Sequence, residues 1–157
     1  MGANQNWFAR FFHVKPAVRI IAFKIPKAKI RKEVYRTLRG WKEYGMDGVY
    51  LDRTENVVRG RVCEPNCKYP FVDLWLRLIT YADLNLRPVE FSAEFFTVLE
   101  HGRHANLSLV RFRQERGAAS SFHKVVDILE LVLKRRSYVV EDPARSKKMV
   151  KILDNVS

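Results

Sequence analysis

The sequence predicts an α+β fold: an antiparallel meander sheet of about four to five strands with two main helices packed on one face. Three observations predict it. Ile30, Val34, Leu38 and Trp41 step by four, four and three, the spacing of one buried helical stripe. Residues 89–100 and 106–114 are long runs rich in β-branched and aromatic side chains, separated by the turn signal His101-Gly102-Arg103-His104. Phe122, Val125, Val126, Leu129, Val132 and Leu133 form a second stripe at helical spacing.

The elements follow in order. Trp7, Phe8, Phe11 and Phe12 recur at helical spacing within 6–13, a short helix that Pro16 ends. Residues 17–25 carry Ile20, Ile21 and Phe23 and read as a strand, broken by Pro26. A proline is also accepted in a first helical turn, and 27–44 reads as a helix with Gly45 as its C-cap. Its remaining surface carries Lys27, Lys29, Arg31, Lys32, Arg36, Arg39 and Lys42, opposed by Glu33 and Glu43. Residues 48–52 and 56–61 read as a hairpin turning near Arg53-Thr54-Glu55-Asn56, with Arg59 and Arg61 on one face at period two. In 89–100, Glu90, Ser92 and Glu94 alternate against Phe91, Ala93 and Phe95. The two glutamates are expected as surface partners for arginine. Gly117 breaks the next strand, and Ser120 or Ser121 caps a helix reaching about Arg136. Lys134, Arg135 and Arg136 lie at its C-terminal end, where the helix dipole favours cations. Asp142-Pro143 opens a short basic amphipathic segment through about Leu153. The domain is read as 5–140, with 141–157 as a short basic C-terminal helix or tail.

Composition narrows the function. The chain has 157 residues, 47% of them hydrophobic, enough for one domain with a real core. Lysine and arginine number 29 against 17 acidic residues, a net charge of +12. A surface this basic points to an anionic partner: nucleic acid, anionic lipid or an acidic protein. The excess is uneven. Residues 1–47 hold 11 basic and 3 acidic side chains, 48–116 hold 10 and 9, and 117–157 hold 8 and 5. If the first third forms one face, the field is one-sided. No apolar run is long enough for a transmembrane segment, and the first residues lack the apolar stretch of a signal peptide. Two cysteines make no disulfide framework, so the expected compartment is cytosol or nucleus.

Three segments carry a resemblance. Phe11-Phe12-His13-Val14-Lys15-Pro16 leads into a strand and a basic helix. Later come Arg87-Pro88-Val89-Glu90-Phe91-Ser92-Ala93-Glu94-Phe95-Phe96 and Leu107-Ser108-Leu109-Val110-Arg111-Phe112-Arg113-Gln114-Glu115-Arg116-Gly117. Together they resemble the kinase-associated 1 domain at the C-terminus of fungal septin-associated, bud-neck serine/threonine protein kinases. The resemblance implies a module that binds anionic phospholipid, phosphatidylserine above all. It would hold the kinase at the inner face of the plasma membrane at the division site. It also implies an alternative, an intramolecular domain that docks on its own kinase domain and inhibits it, and it brings septins in as a partner.

Physics agrees with the lipid reading, since each lysine or arginine near an anionic bilayer contributes about 1 kcal/mol. The candidate lipid ligands are Lys27, Lys29, Arg31, Lys32, Arg36 and Arg39, with Arg59 and Arg61 from the sheet and Lys134, Arg135 and Arg136 from the last long helix. Arg19 and Lys24 are second-tier candidates. Nucleic acid is disfavoured as a partner, because the aromatics read as core rather than as a stacking platform and no recognised binding motif is present.

Residues 62–86 depart from the family pattern, which passes from hairpin to next strand in a few residues. A loop of about 25 residues is unusual in a compact domain. One reading is a membrane-dipping or partner-binding loop that includes Phe71-Val72-Asp73-Leu74-Trp75-Leu76-Arg77-Leu78-Ile79. The other is a retained intron: Val62-Cys63 can be encoded by GTATGT, and Tyr81-Ala82-Asp83 can contain GCTGAC. Peptides recovered from within 68–80 would exclude the intron.

Chemistry is set aside on spacing. Cys63, Cys67, His101 and His104 invite zinc, but the histidine spacing is tighter than in the usual finger. Turn and packing histidines are the better reading, and neither metal nor cofactor is expected. The chain has no Gly-rich loop, His-Arg-Asp or Asp-Phe-Gly, so it is not expected to be an enzyme.

Overall fold

In a computed structural model, residues 15–42, 45–62, 87–100 and 103–156 are described. The elements are β1 (Val18–Phe23), α1 (Lys27–Gly40), β2 (Met46–Asp52), β3 (Val57–Val62), β4 (Val89–Glu100), β5 (Arg103–Gly117), α2 (Ala119–Arg135) and α3 (Pro143–Val156). The expected helix at 6–13, the segment 63–86, Cys63, Cys67 and His101 lie outside the described residues, and so does the side chain of His104.

The five strands form one antiparallel sheet in the order β1-β5-β4-β3-β2. Register decides which side chains share a face. Val58 pairs with Ala93, and Ala93 with Phe112, so one apolar row crosses three strands. Phe95 pairs with Val110, and Val110 with Ile21. Helices α1 and α2 bury their stripes on this face: Ile30, Val34 and Leu38 from one, and Phe122, Val125, Val126, Leu129 and Leu133 from the other. The α+β plan with two main helices on one face is thus the observed architecture.

Pro26 starts α1 through its carbonyl oxygen, which accepts from the Lys29 and Ile30 amides, both at 3.0 Å. The helix closes at Gly40, short of the expected end at 44, and Gly45 is not its C-cap. Trp41 serves as its C-cap and is buried, while Gly45, at φ 97°, turns the chain into β2. The β2–β3 turn is organised by Asp52, whose Oδ1 accepts from the Thr54 amide at 2.9 Å and the Glu55 amide at 3.2 Å.

The N-terminus of α2 corrects one expectation. Its cap is Ala118, without a side-chain cap. Ser121 Oγ instead accepts from the Arg87 amide at 2.8 Å, tying the entry of β4 to the helix. Arg19, on β1, donates to Asp127 and to Glu130 of α2, so this second-tier cation is a clasp between layers.

Asp142 caps α3 as its sequence suggests, with Oδ1 accepting from the Ala144 amide at 3.0 Å. Helix α3 packs on the opposite side of the sheet. Met149 and Leu153 bury against Ala22, Val98, Leu107 and Leu109, a second and smaller apolar cluster. Lys147, Lys148 and Lys151 stay exposed. No helix among the described residues is long and apolar enough to cross a membrane.

Candidate functional site

Helix α1 has a buried stripe of Ile30, Val34, Thr37 and Leu38. Lys29, Lys32, Arg36 and Arg39 must therefore project away from the sheet at i, i+3, i+7 and i+10, and all four are exposed. At 1.5 Å per residue this cationic ridge runs about 15 Å. Lys27 and Arg31, one turn apart, form its flank. Arg31 Nη1 donates to Asn56 Oδ1 at 2.5 Å, which anchors the side chain to the β2–β3 turn. The acceptor is a neutral amide, so the guanidinium keeps its full charge in the local field.

The other flank meets the end of α2. Arg136 Nη1 donates to Glu33 Oε2 at 2.8 Å and to Thr37 Oγ1 at 3.4 Å. Lys29 Nζ lies 5.1 Å from the centre of the Tyr138 ring, a cation–π contact. Lys134 and Arg135, beside Arg136, are exposed. Among the described residues, Lys27, Lys29, Arg31, Lys32, Arg36, Arg39, Lys134 and Arg135 stand in no ion pair. Glu33 is the one described carboxylate on α1, and Arg136 takes it.

Three of the eleven candidates differ from these eight. Arg136 belongs to the surface but its charge is offset by Glu33. Arg59 and Arg61 lie elsewhere. In β3, Val58 and Val62 point into the core under α1, so Arg59 and Arg61 point to the reverse side of the sheet. The period of two that puts the two arginines together also separates them from the helix. Arg59 pairs with Glu55 at 2.6 Å and Glu115 at 3.7 Å. Burial opposes the Arg59 charge, but the hydrogen bond and charge of Glu55 outweigh it and hold the guanidinium above its ordinary value. On the same reverse face, Arg111 pairs with Glu94 at 2.7 Å and lies over Phe96. Glu94 thus has the arginine partner expected of it. The open groove there, about 610 Å³, is lined by Tyr50, Arg59, Arg61, Glu90, Glu115 and Arg116 and is of mixed charge.

Arg61 donates to Asp47 Oδ2 at 2.9 Å. That bond, followed by the Gly48 amide bond, holds the Asp47 carboxyl below the usual carboxylate range. A depressed folded-state value means that the pair's contribution is present above the unfolded-state pKa and is lost as pH falls through the folded one. The pair is exposed, so solvent screening keeps that contribution small. A carboxyl NMR titration should place the Asp47 midpoint below that of the unfolded chain, and Arg61→Gln should move it up. A midpoint unmoved by Arg61→Gln would mean the pair does not form.

Two further features were not among the candidates. Lys42 joins Arg39 at the C-terminal end of α1, around a shallow depression of about 180 Å³ that also includes Asp47 and Gly48. Its signal was its place in the helix's basic run. The exposed lysines of α3 form a second basic surface on the reverse face, and only docking of Met149 and Leu153 reveals its side. Among the described residues no group of three or more histidine, cysteine or acidic side chains could hold a metal.

The sequence model of the fungal kinase associated-1 domain matches residues 3–140. The match stops before α3. No curated protein matches the chain.

Proposed function

We propose that this chain, which belongs to the fungal kinase associated-1 domain family, uses the outer surface of α1 and the end of α2 to lie on anionic phospholipid. The family is a kinase-associated regulatory domain, not a catalytic one. In the proposed role it carries its kinase to the inner face of the plasma membrane at the division site. Phosphatidylserine is the lipid that the family resemblance favours.

One observation carries this reading: Lys29, Lys32, Arg36 and Arg39 project outward from α1, half-buried Lys27 and Arg31 flank them, and the described carboxylate of the helix is already taken. At about 1 kcal/mol each, six contacts with an anionic bilayer total about 6 kcal/mol, a dissociation constant of roughly 40 µM. Screening over about 8 Å at physiological ionic strength makes such binding sensitive to salt. The mixed-charge reverse face of β3 and β4 offers no comparable attraction.

The test is co-sedimentation with vesicles of phosphatidylcholine alone and of phosphatidylcholine with phosphatidylserine. Binding should appear with phosphatidylserine, rise with its mole fraction and fall with added salt. Equal binding to both vesicle types, or none to either, would overturn the reading. Inhibition of a separately added kinase domain, without vesicle binding, would favour docking on the kinase instead.

A further inference from the structure

The end of α2 is closed by a Schellman motif. The Tyr138 amide donates to the Leu133 carbonyl at 3.1 Å, and the Ser137 amide donates to the Lys134 carbonyl at 2.9 Å. The motif needs a left-handed residue at the position after the cap, which glycine usually supplies. Here Ser137 supplies it, at φ 60°. A β-carbon in that conformation is strained, and a residue kept in such a conformation invites a functional explanation. The hydroxyl is what serine adds over glycine. Ser137 is exposed, and Lys134-Arg135-Arg136 comes immediately before it. Other described serines lack this setting. Ser92, Ser108 and Ser121 are buried, Ser120 follows small uncharged residues, and Ser146 is half-buried in α3 with a single arginine before it.

We propose that Ser137 is the acceptor of a separate serine/threonine kinase that selects basic residues just before its target, and that phosphate there weakens the cationic face. Charge patterns of this kind are a usual basis of kinase–substrate choice. In the transfer, Ser137 Oγ attacks the γ-phosphorus of ATP. An Oγ–P bond forms, the bond from that phosphorus to the bridging oxygen of ADP breaks, and the hydroxyl proton passes to the kinase's base. The product adds a charge of about −1.5 to −2 at neutral pH. It would sit next to Lys134 and Arg135, and one residue from Tyr138, on which Lys29 rests. These are three of the eight cations of the face that stand in no ion pair. The effect on binding rests on the membrane reading above, whereas the acceptor assignment does not.

The experiment treats the full chain with ATP and a basic-directed kinase, maps phosphate by mass spectrometry and follows two readouts. One is co-sedimentation with phosphatidylserine–phosphatidylcholine vesicles. The other is the salt needed to elute the protein from a sulfonate resin. We expect phosphate on Ser137, vesicle affinity lowered roughly 10- to 30-fold, and elution at lower salt. Ser137→Gly should take no phosphate at this position and should raise the melting temperature, because the left-handed position then carries no β-carbon. Absence of phosphate at Ser137, while the kinase labels a control peptide, would overturn the assignment. Phosphate on Ser137 with vesicle binding and elution both unchanged would overturn the switch. If the unmodified chain binds no vesicles, the membrane reading falls, and phosphate mapping with resin elution still decides the acceptor and its effect on the field.

Discussion

Replacement of Arg31, Lys32, Arg36 and Arg39 together by glutamate should abolish sedimentation with phosphatidylserine vesicles and leave the protein folded. Lys32, Arg36 and Arg39 are exposed on the outer side of α1, Arg31 is half-buried on its flank, and none of the four belongs to the buried stripe. Losing four attractive contacts removes about 4 kcal/mol, close to a thousandfold in affinity, before any repulsion from the new carboxylates is counted. The fold should tolerate the change. Arg31 loses one hydrogen bond to Asn56, and glutamate is a good helix former. Like charges introduced at positions 32 and 36, one turn apart, cost only a few tenths of a kcal/mol. Circular dichroism should therefore show an intact, slightly less stable domain. Most of that change in net charge is reproduced by reversing Lys147, Lys148 and Lys151 on α3, which face away from α1 across the sheet. That variant should bind nearly as the parent does. If the α3 variant lost binding and the α1 variant kept it, the cationic face would be on the wrong side of the sheet.

The reach of sequence reasoning shows in these same residues. The ridge on α1 was legible because a stripe at steps of four, four and three fixes both the buried side and the outer side of a helix. Strand β4 was legible for its alternation and its bounds. Arg59 and Arg61 show where such reasoning stops. A period of two says that two side chains share a face, but which face depends on the pairing of β3 with β4 and on what covers it. Charge pairing across long separations was also out of reach. Arg136 meets Glu33 across 103 residues, and Arg19 meets Glu130 across 111, through the packing of α2 beside α1 and β1. Ser121 looked like a helix cap by position, yet the Arg87 amide claims its hydroxyl. Each miss concerns a partner distant in sequence, and each correction follows once the strand order is known.

Gly117→Ala should be the most damaging single substitution at a small residue, costing about 3–4 kcal/mol. Gly117 is the last residue of β5, at φ 92°, and pairs with Val89 where the sheet hands over to α2. An added Cβ would lie 2.2 Å from the Pro88 carbonyl oxygen and 2.7 Å from Val89 Cα. Both are backbone atoms at the start of a paired strand, so neither can swing aside. The same Pro88 oxygen accepts from the Ala118 amide at 3.2 Å, and Gln114 Nε2 donates to the Gly117 carbonyl at 2.6 Å. Relief of the clash would disturb these bonds as well as the first turn of α2. Gly60 gives the contrast. A Cβ there would meet the Phe91 ring at 3.0 Å and Met46 Sδ at 3.4 Å, which are side-chain atoms with some freedom to move. Gly60→Ala should therefore cost less. For a domain of this size the Gly117 loss corresponds to a fall in melting temperature of about 10 °C, readable by circular dichroism. Well below that temperature vesicle binding should persist, because α1 is untouched. An unchanged melting temperature for Gly117→Ala would mean that β5 and α2 are not joined through this left-handed glycine.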